Sequence, residues 1–465
     1  MKKLLLILFA ISFIGKKGLA QDITGSWNGT LKVGTVQLRL VVNISKTGNA
    51  YNSTLDSPDQ GAKGIAVTKT TFENAKLKFE IPVAQIEYVG DFKNDKFFGT
   101  FKQSGKEFPL ELSKGGISVA AVKRPQEPQK PFPYYSEEIT FENPKAQITL
   151  AGTLTLPQKE GVFPAVILIS GSGPQNRDEE LLGHKPFLVI SDYLTRHGIA
   201  VLRFDDRGVG QSKGVFKTAT SADHASDVAS AVAYLKTRKE INQIGLMGHS
   251  EGGLIAPMVA ANNNQVSFIV LLAGTGISGD KLLLMQQELI SRANGVSEPE
   301  IALSKKINEG AFKIIVQSND DEQLKKDLAT YIGKMVNENP EINPKGVKEE
   351  DFIAQQVKSA MSPWPWMQYF LKYDPVENLK LVKCPILAVN GEKDLQVPAK
   401  ENLSAIENIV KKAGNKDVTT KAYPNLNHLF QECKTGSPAE YSTIEQTFSP
   451  LVMEDFTKWI KIKTK

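Results

Sequence analysis

The spacing of apolar positions changes twice along the chain. From Gly25 to about Lys114, short runs such as Val36 to Ile44, Lys76 to Ile81 and Lys96 to Phe101 alternate apolar with polar residues. Turn residues (Gly-Asn, Lys-Asn-Asp, Ser-Gly-Lys) separate them. Period two with such breaks predicts antiparallel strands in a small barrel or sandwich. Residues Pro125 to Pro133 then place four prolines in nine positions, a stiff extended spacer.

Beyond the spacer, two strands (Glu137 to Glu142, Ile148 to Leu156) lead into strands that alternate with helices. The later strands are Ala165 to Ile169, Ala200 to Phe204, Ile244 to Met247, Phe268 to Leu272, Ile386 to Val389 and Val418 to Ala422. Helical periodicity fills Pro186 to Arg196, Ala222 to Lys236, Leu254 to Asn262 and Lys400 to Lys412. This alternation predicts an α/β fold, a parallel sheet covered on both faces with its strand C-termini along one edge, where ligands bind. No strand is predicted from about 279 to 381, where Lys281 to Ala293 and Asp321 to Asn337 read helical. An insertion at that place in the order predicts a helical lid over the site.

The N-terminus changes the picture of location. Met1-Lys2-Lys3, an apolar run of 11 residues from Leu4 to Ile14, and Gly18-Leu19-Ala20 have the three parts of a secretory signal peptide. The run is shorter than the ~20 residues that span a bilayer. The predicted organisation is a signal peptide at 1–20, a β accessory domain at 21–118, a linker at 119–135 and an α/β domain at 136–465 with its lid. An exported chain, periplasmic or secreted and without a membrane span after cleavage, is the expectation.

The signal also explains the charge. The chain carries 56 Lys+Arg against 51 Asp+Glu, and four of the lysines lie in the first 20 residues. From Gln21 onward the balance is 52 against 51, which leaves no basic stripe for nucleic acid. Hydrophobic residues at 41% and charged residues at 23% describe an ordinary globular protein. Cys384 and Cys433 are expected as free thiols. The five histidines contain no His-x-x-x-His pair, so neither a metal nor a cofactor is expected.

Gly-x-Ser-x-Gly occurs at 210–214 and at 248–252. Only at Gly248-His249-Ser250-Glu251-Gly252 does an apolar strand run straight into the motif and a helix follow, the context of a nucleophile elbow. Glycines two before and two after the serine let neighbouring backbones approach a strained turn. Ser250 is therefore the candidate nucleophile. It needs a base, and imidazole, with an ordinary pKa of ~6.5, suits neutral pH. In the order nucleophile, acid, histidine the base comes late, and His428 alone follows the elbow. Asn390-Gly391-Glu392-Lys393-Asp394 follows the penultimate strand, so Asp394 is the expected acid, with Glu392 in reserve. Ser170-Gly171-Ser172-Gly173-Pro174 follows the first parallel strand. Backbone N–H groups of Glu251 and Ser172, or of Gly171, are the expected oxyanion donors. Arg207 is read as a loop-tying ion-pair partner, His224 as a surface residue, and His184 as a residue of the site mouth. Trp364 and Trp366, beside Tyr369 and Phe370, are candidate substrate-pocket residues, with packing of lid on core as the alternative.

Together these features resemble the α/β-hydrolase superfamily over about 136–465. The runs at 170–178, 248–253 and 390–398 look more specifically like exported bacterial carboxylesterases with an N-terminal β domain, grouped with serine-aminopeptidase-like and dienelactone-hydrolase-like hydrolases. Gly25-Ser26-Trp27 looks like the Gly-x-Trp of calycin barrels. The resemblance implies hydrolysis of small-molecule esters with short acyl chains through an acyl-enzyme on Ser250, His428 and Asp394. A peptidase acting on short peptides with the same triad is the alternative, and a non-catalytic binding protein a further one. No His-Gly-Gly-Gly oxyanion motif is present.

Overall fold

The computed structural model describes residues 22–33, 36–48, 50–58, 62–103, 106–114, 123–343, 346–362 and 364–465. The expected signal peptide at 1–20 lies outside the described residues, as do positions 119–122 of the expected linker. The chain divides into two compact units, Met1–Ile117 and Ser118–Lys465.

The first unit is a meander of β1 (Gly25–Val33), β2 (Val36–Thr47), β3 (Ala50–Ser57), β4 (Ala62–Ala66), β5 (Lys69–Glu73), β6 (Lys76–Ile81), β7 (Ile86–Lys93), β8 (Lys96–Gln103) and β9 (Lys106–Lys114). Successive strands pair antiparallel except β4 and β5, which both pair with β3, and β1 pairs with both β2 and β9, so the sheet closes on itself. The short β4 and β5 share one edge of β3 and act as a single interrupted stave. The result is a barrel of eight staves rather than a sandwich. Alternating residues of β6 and β7 point inward, and Trp27, Phe79, Tyr88, Phe97 and Phe101 fill the interior. Gly90 opposes Gly99 across β7 and β8 because the Tyr88 ring lies over them. A Cβ on Gly90 would stand 2.4 Å from the Tyr88 hydroxyl.

The second unit carries an eight-stranded sheet. Its strands are β10 (Tyr135–Asn143), β11 (Ile148–Leu156), β12 (Phe163–Ile169), β13 (Ala200–Phe204), β14 (Ile241–His249), β15 (Val266–Leu272), β16 (Ile386–Gly391) and β17 (Val418–Tyr423), in the order β10-β11-β13-β12-β14-β15-β16-β17. β10 and β11 are antiparallel and the other six run parallel. Central strands are apolar on both faces, as burial on both sides requires. On β12, Ala165, Ile167 and Ile169 face one core while Val166 and Leu168 face the other. The first core is closed by α2 (Ser221–Lys236), α3 (Glu251–Ala260) and α10 (Ala399–Lys412), the second by α1 (Pro186–Arg196) and α11 (Pro450–Lys463).

Between β15 and β16 the chain forms α4 (Gly279–Ala293), α5 (Glu298–Gln317), α6 (Asp321–Glu338), α7 (Glu349–Ala360), α8 (Trp366–Lys372) and α9 (Val376–Leu379). α5, α6 and α7 bury a core of their own around Phe312, Ile315, Leu328 and Phe352. α8 returns to the main core through Phe370. Ahead of β10, the Arg124 guanidinium donates to the carbonyls of Gly183, Ser442 and Ile444, and the Gln126 side chain bonds Thr447 and Phe448. The proline-rich segment is therefore fastened to the second unit from its first described residues.

Candidate active site

β14 enters the elbow and α3 leaves it, with Ser250 as the joint. Ser250 has φ 54° and ψ −115°, a conformation that costs a non-glycine residue ~1–3 kcal/mol. Its surroundings hold it there: its N–H donates to the Leu272 carbonyl at 2.9 Å, and its carbonyl accepts from Gly253 N–H at 2.9 Å. The flanking glycines are dictated by close approach. A Cβ on Gly248 would lie 1.9 Å from the Gly252 carbonyl oxygen, and one on Gly252 would lie 2.1 Å from that of Ile169. The Ser250 side chain caps no helix N–H, so its hydroxyl is not spent on the turn.

Asp394 follows β16, and His428 follows β17. His428 Nδ1 lies 2.7 Å from Asp394 Oδ2, with both side chains buried. The other carboxylate oxygen of Asp394 accepts from the N–H groups of Gln396 and Val397, each at 2.8 Å. The acid is thus fixed before it orients the imidazole, and of the two carboxylates offered by the loop it is Asp394 that meets the ring. The exposed Glu392 does not. His428 stands against the elbow: its carbonyl oxygen is 3.0 Å from His249 Nε2, and the two rings lie 4.8 Å apart.

The loop after β12 passes the other side of Ser250, where a Cβ on Gly171 would be 3.2 Å from that of the serine. Gly171 N–H is already used, donating to Glu179 Oε1 at 2.7 Å. That bond commits the Gly171 amide, so Ser172 is the remaining candidate of the two expected donors. Asp206 holds the loop at both ends, accepting from Ser170 Oγ at 2.8 Å and from Gln175 N–H at 2.9 Å. Burial pushes the Asp206 carboxyl up to about 8, over the opposing pull of those two donors.

A cavity of about 440 Å³ opens beside the elbow, lined mainly by apolar side chains and by Ser172, Asp206, Phe216, His224, Glu251 and Trp366. Glu251 is buried, and Oε1 accepts from Ser221 Oγ at 2.6 Å and from Trp366 Nε1 at 2.8 Å. Burial raises its pKa against both hydrogen bonds. Burial also pushes the His224 imidazole down to about 4, so that ring is uncharged at neutral pH.

Three sequence expectations change. His224 is a half-buried residue of the cavity wall, because the first turn of α2 faces β12 and α3 rather than solvent. His184 does not line a mouth: it is buried, with Nδ1 against Thr447 Oγ1 and Nε2 against the Tyr441 carbonyl. Trp364 lies away from the cavity, its ring in the lid core and its N–H donating to Asp321 at 3.0 Å. Trp366 does reach the wall, because it begins the helix that packs back on the main core.

Other features are structural. Arg207 pairs with Asp227 on α2 through Nε at 2.7 Å and Nη2 at 2.8 Å. Ser212, centre of the Gly-x-Ser-x-Gly at 210–214, spends its hydroxyl on the Asp205 carbonyl and Ala151 N–H. Cys384 and Cys433 are unpaired. Sequence reasoning missed Glu179, the Asp206 clamp and the Glu251 side chain. Only an excess of acids around the loop could have hinted at them.

A family model described as serine aminopeptidase, S33, matches residues 187–329, and one described as prolyl oligopeptidase family matches 345–448. Esterase EstD of Thermotoga maritima is 22% identical over 367 residues, 76% of this chain and 78% of that protein. A non-heme haloperoxidase of Rhodococcus erythropolis is 26% identical over 238 residues, 51% of this chain and 78% of its own. Among solved structures, an esterase of Pyrococcus furiosus has a TM-score of 0.42 at 18% identity, covering 71% of this chain and 90% of its own. Est1E of Butyrivibrio proteoclasticus, with ferulic acid bound, has a TM-score of 0.41 at 18% identity, covering 70% and 99%.

Proposed function

We propose that the chain is an α/β-hydrolase that hydrolyses carboxylic esters of small molecules through Ser250, His428 and Asp394. The observation that carries this reading is the buried Asp394–His428 pair at 2.7 Å, standing against an elbow whose serine is held in a strained turn. The similarity to esterase EstD supports an ester as the substrate.

In this mechanism Ser250 Oγ attacks the ester carbonyl carbon while His428 Nε2 takes the hydroxyl proton. Asp394 keeps the proton on Nδ1, so that Nε2 is the basic nitrogen, and stabilises the imidazolium that forms. The carbonyl oxygen, now an oxyanion, receives the N–H groups of Ser172 and Glu251. Collapse expels the alkoxide, which takes the proton from His428. Water then attacks the acyl-enzyme by the same route and releases the acid. The cavity beside the elbow receives the apolar part of the substrate. Its volume falls within the ~300–1,000 Å³ of small-molecule sites, so acyl groups longer than acetyl fit as well as short ones.

The reading includes export, supported by the tripartite N-terminus, and cell fractionation tests it: activity confined to the cytoplasm refutes it. A fluorophosphonate should label the enzyme on Ser250, and Ser250→Ala should abolish the label. p-Nitrophenyl acetate and butyrate should turn over far faster than aminoacyl p-nitroanilides. The reverse order would make the protein a peptidase with the same machinery, and no turnover or labelling at all would make it a binding protein.

A further inference from the structure

Glu179 and His249 are buried, touch the elbow and are left without a duty by the mechanism above. Glu179 has φ 50°, an uncommon backbone for a side chain of its size, within the loop that leaves the oxyanion segment. Its Oε1 accepts from Gly171 N–H at 2.7 Å and lies 3.0 Å from His249 Nδ1. His249 Nε2 lies 3.0 Å from the carbonyl oxygen of His428. A carbonyl can only accept, so Nε2 carries a proton, and Nδ1 faces a carboxylate that accepts as well. Nε2 therefore donates, and one proton is shared between Nδ1 and Glu179. The direction of its pKa agrees: burial opposes the charge, but Glu179, the His428 carbonyl and Asp394 outweigh it and raise the value.

We propose that Glu179 and His249 are positioning residues, forming one hydrogen-bonded chain, Gly171–Glu179–His249–His428, that ties the oxyanion loop and the base loop to the elbow. The inference rests on the roles given above to Ser172, Ser250 and His428. These three groups come from three separate loops, after β12, β14 and β17; β12 and β14 pair as neighbours up to Ile169 and Gly248, but β17 lies three strands beyond β14, so no direct strand pairing sets the distance of the base loop from the other two. The chain of bonds does so through one side chain from the elbow and one from the loop beside it. It also occupies the Gly171 amide, which leaves Ser172 N–H to turn towards the reacting oxygen. Misplacement of reacting groups by about 1 Å can cost ~10²-fold in rate, which sets the expected size of the effect.

The test compares Glu179→Ala, Glu179→Gln and His249→Phe in the full chain, with active sites counted by fluorophosphonate titration. We expect Glu179→Ala and His249→Phe to lower kcat per titrated site about 10²-fold on p-nitrophenyl acetate, with KM changed less than about threefold. Glu179→Gln keeps an acceptor for Gly171 N–H and should recover most of the rate. A merely structural role would reduce the number of titratable sites and leave kcat per site unchanged. That result in His249→Phe, or equal losses in Glu179→Gln and Glu179→Ala, overturns the proposal. Should Glu179→Ala fail to fold, His249→Phe alone decides by the same criterion. Ser250→Ala separates the two levels: if it keeps both label and activity, the serine mechanism itself falls, whatever the other variants do.

Discussion

Asp206→Asn tests the electrostatics of the site without touching the reacting groups. In the folded protein the Asp206 carboxyl titrates at about 8, against an ordinary value of 3.8. An acid whose pKa is raised by folding is neutral in the native state and ionised in the unfolded one between those two values. Its contribution is therefore most favourable below pH 4 and is lost progressively as pH rises towards 8. At ~1.36 kcal/mol per unit, the ionisation available only to the unfolded chain costs roughly 4 kcal/mol at pH 7. Asparagine has nearly the same shape and no such titration. Its oxygen can accept from Gln175 N–H, and its amide can donate to the rotatable Ser170 hydroxyl. Urea unfolding of parent and variant at pH 4.5, 6 and 7.5, followed in the second unit, should give curves that nearly coincide at the lowest pH. They should separate by about 1.4 kcal/mol per unit above it, with the variant the more stable. Parallel stability profiles would refute the neutral Asp206, and with it the account of a clamp made by an uncharged acid.

Other expectations follow from single contacts. Ser250→Ala should lower kcat by ~10⁴–10⁶ with the fold intact, read by p-nitrophenyl ester turnover. Asp394→Asn should cost ~10⁴ by removing the acceptor that fixes the imidazole tautomer, while Glu392→Gln leaves kcat unchanged; the opposite ranking would move the acid assignment. Gly252→Ala sets a Cβ 2.1 Å from the Ile169 carbonyl oxygen, so fluorophosphonate labelling should be lost with far-UV circular dichroism largely retained. Trp366→Phe keeps a ring in the cavity wall but removes a donor from Glu251, which should lower stability by ~1 kcal/mol and shift KM for longer acyl esters more than kcat.

What the sequence made legible was local. The elbow could be read because strand, turn and helix are contiguous, and α1 because a proline opens it where its missing N–H costs nothing. The start of α3 was placed three residues late, at Leu254 instead of Glu251. Gly252 and Gly253 are poor helix formers, and the close packing that demands them is tertiary. The meeting of His428 with Asp394 could be anticipated from chain order, which constrains where loops emerge along the sheet edge. Glu179 could not, since Asp178, Glu179 and Glu180 are equivalent on paper and only the positive φ turns the middle one inward. The same limit separates Trp364 from Trp366, two residues apart, one in the lid core and one at the cavity. It also explains the two misplaced histidines, each defined by partners far away in sequence.

The anchoring of Arg124 and Gln126 decides where the catalytic half can be cut free. A shortened polypeptide starting at Lys123 retains every hydrogen bond these residues make to the 442–448 stretch and to Gly183. One trimmed to Tyr135, the first residue of its sheet, strips the partner from the carbonyls of Leu182, Gly183, Ser442, Ile444 and Phe448 and from the Thr447 and Phe448 amides. Those groups adjoin the pocket that encloses His184, so the trimmed version should loosen near its C-terminus first, and protease digestion would find it there.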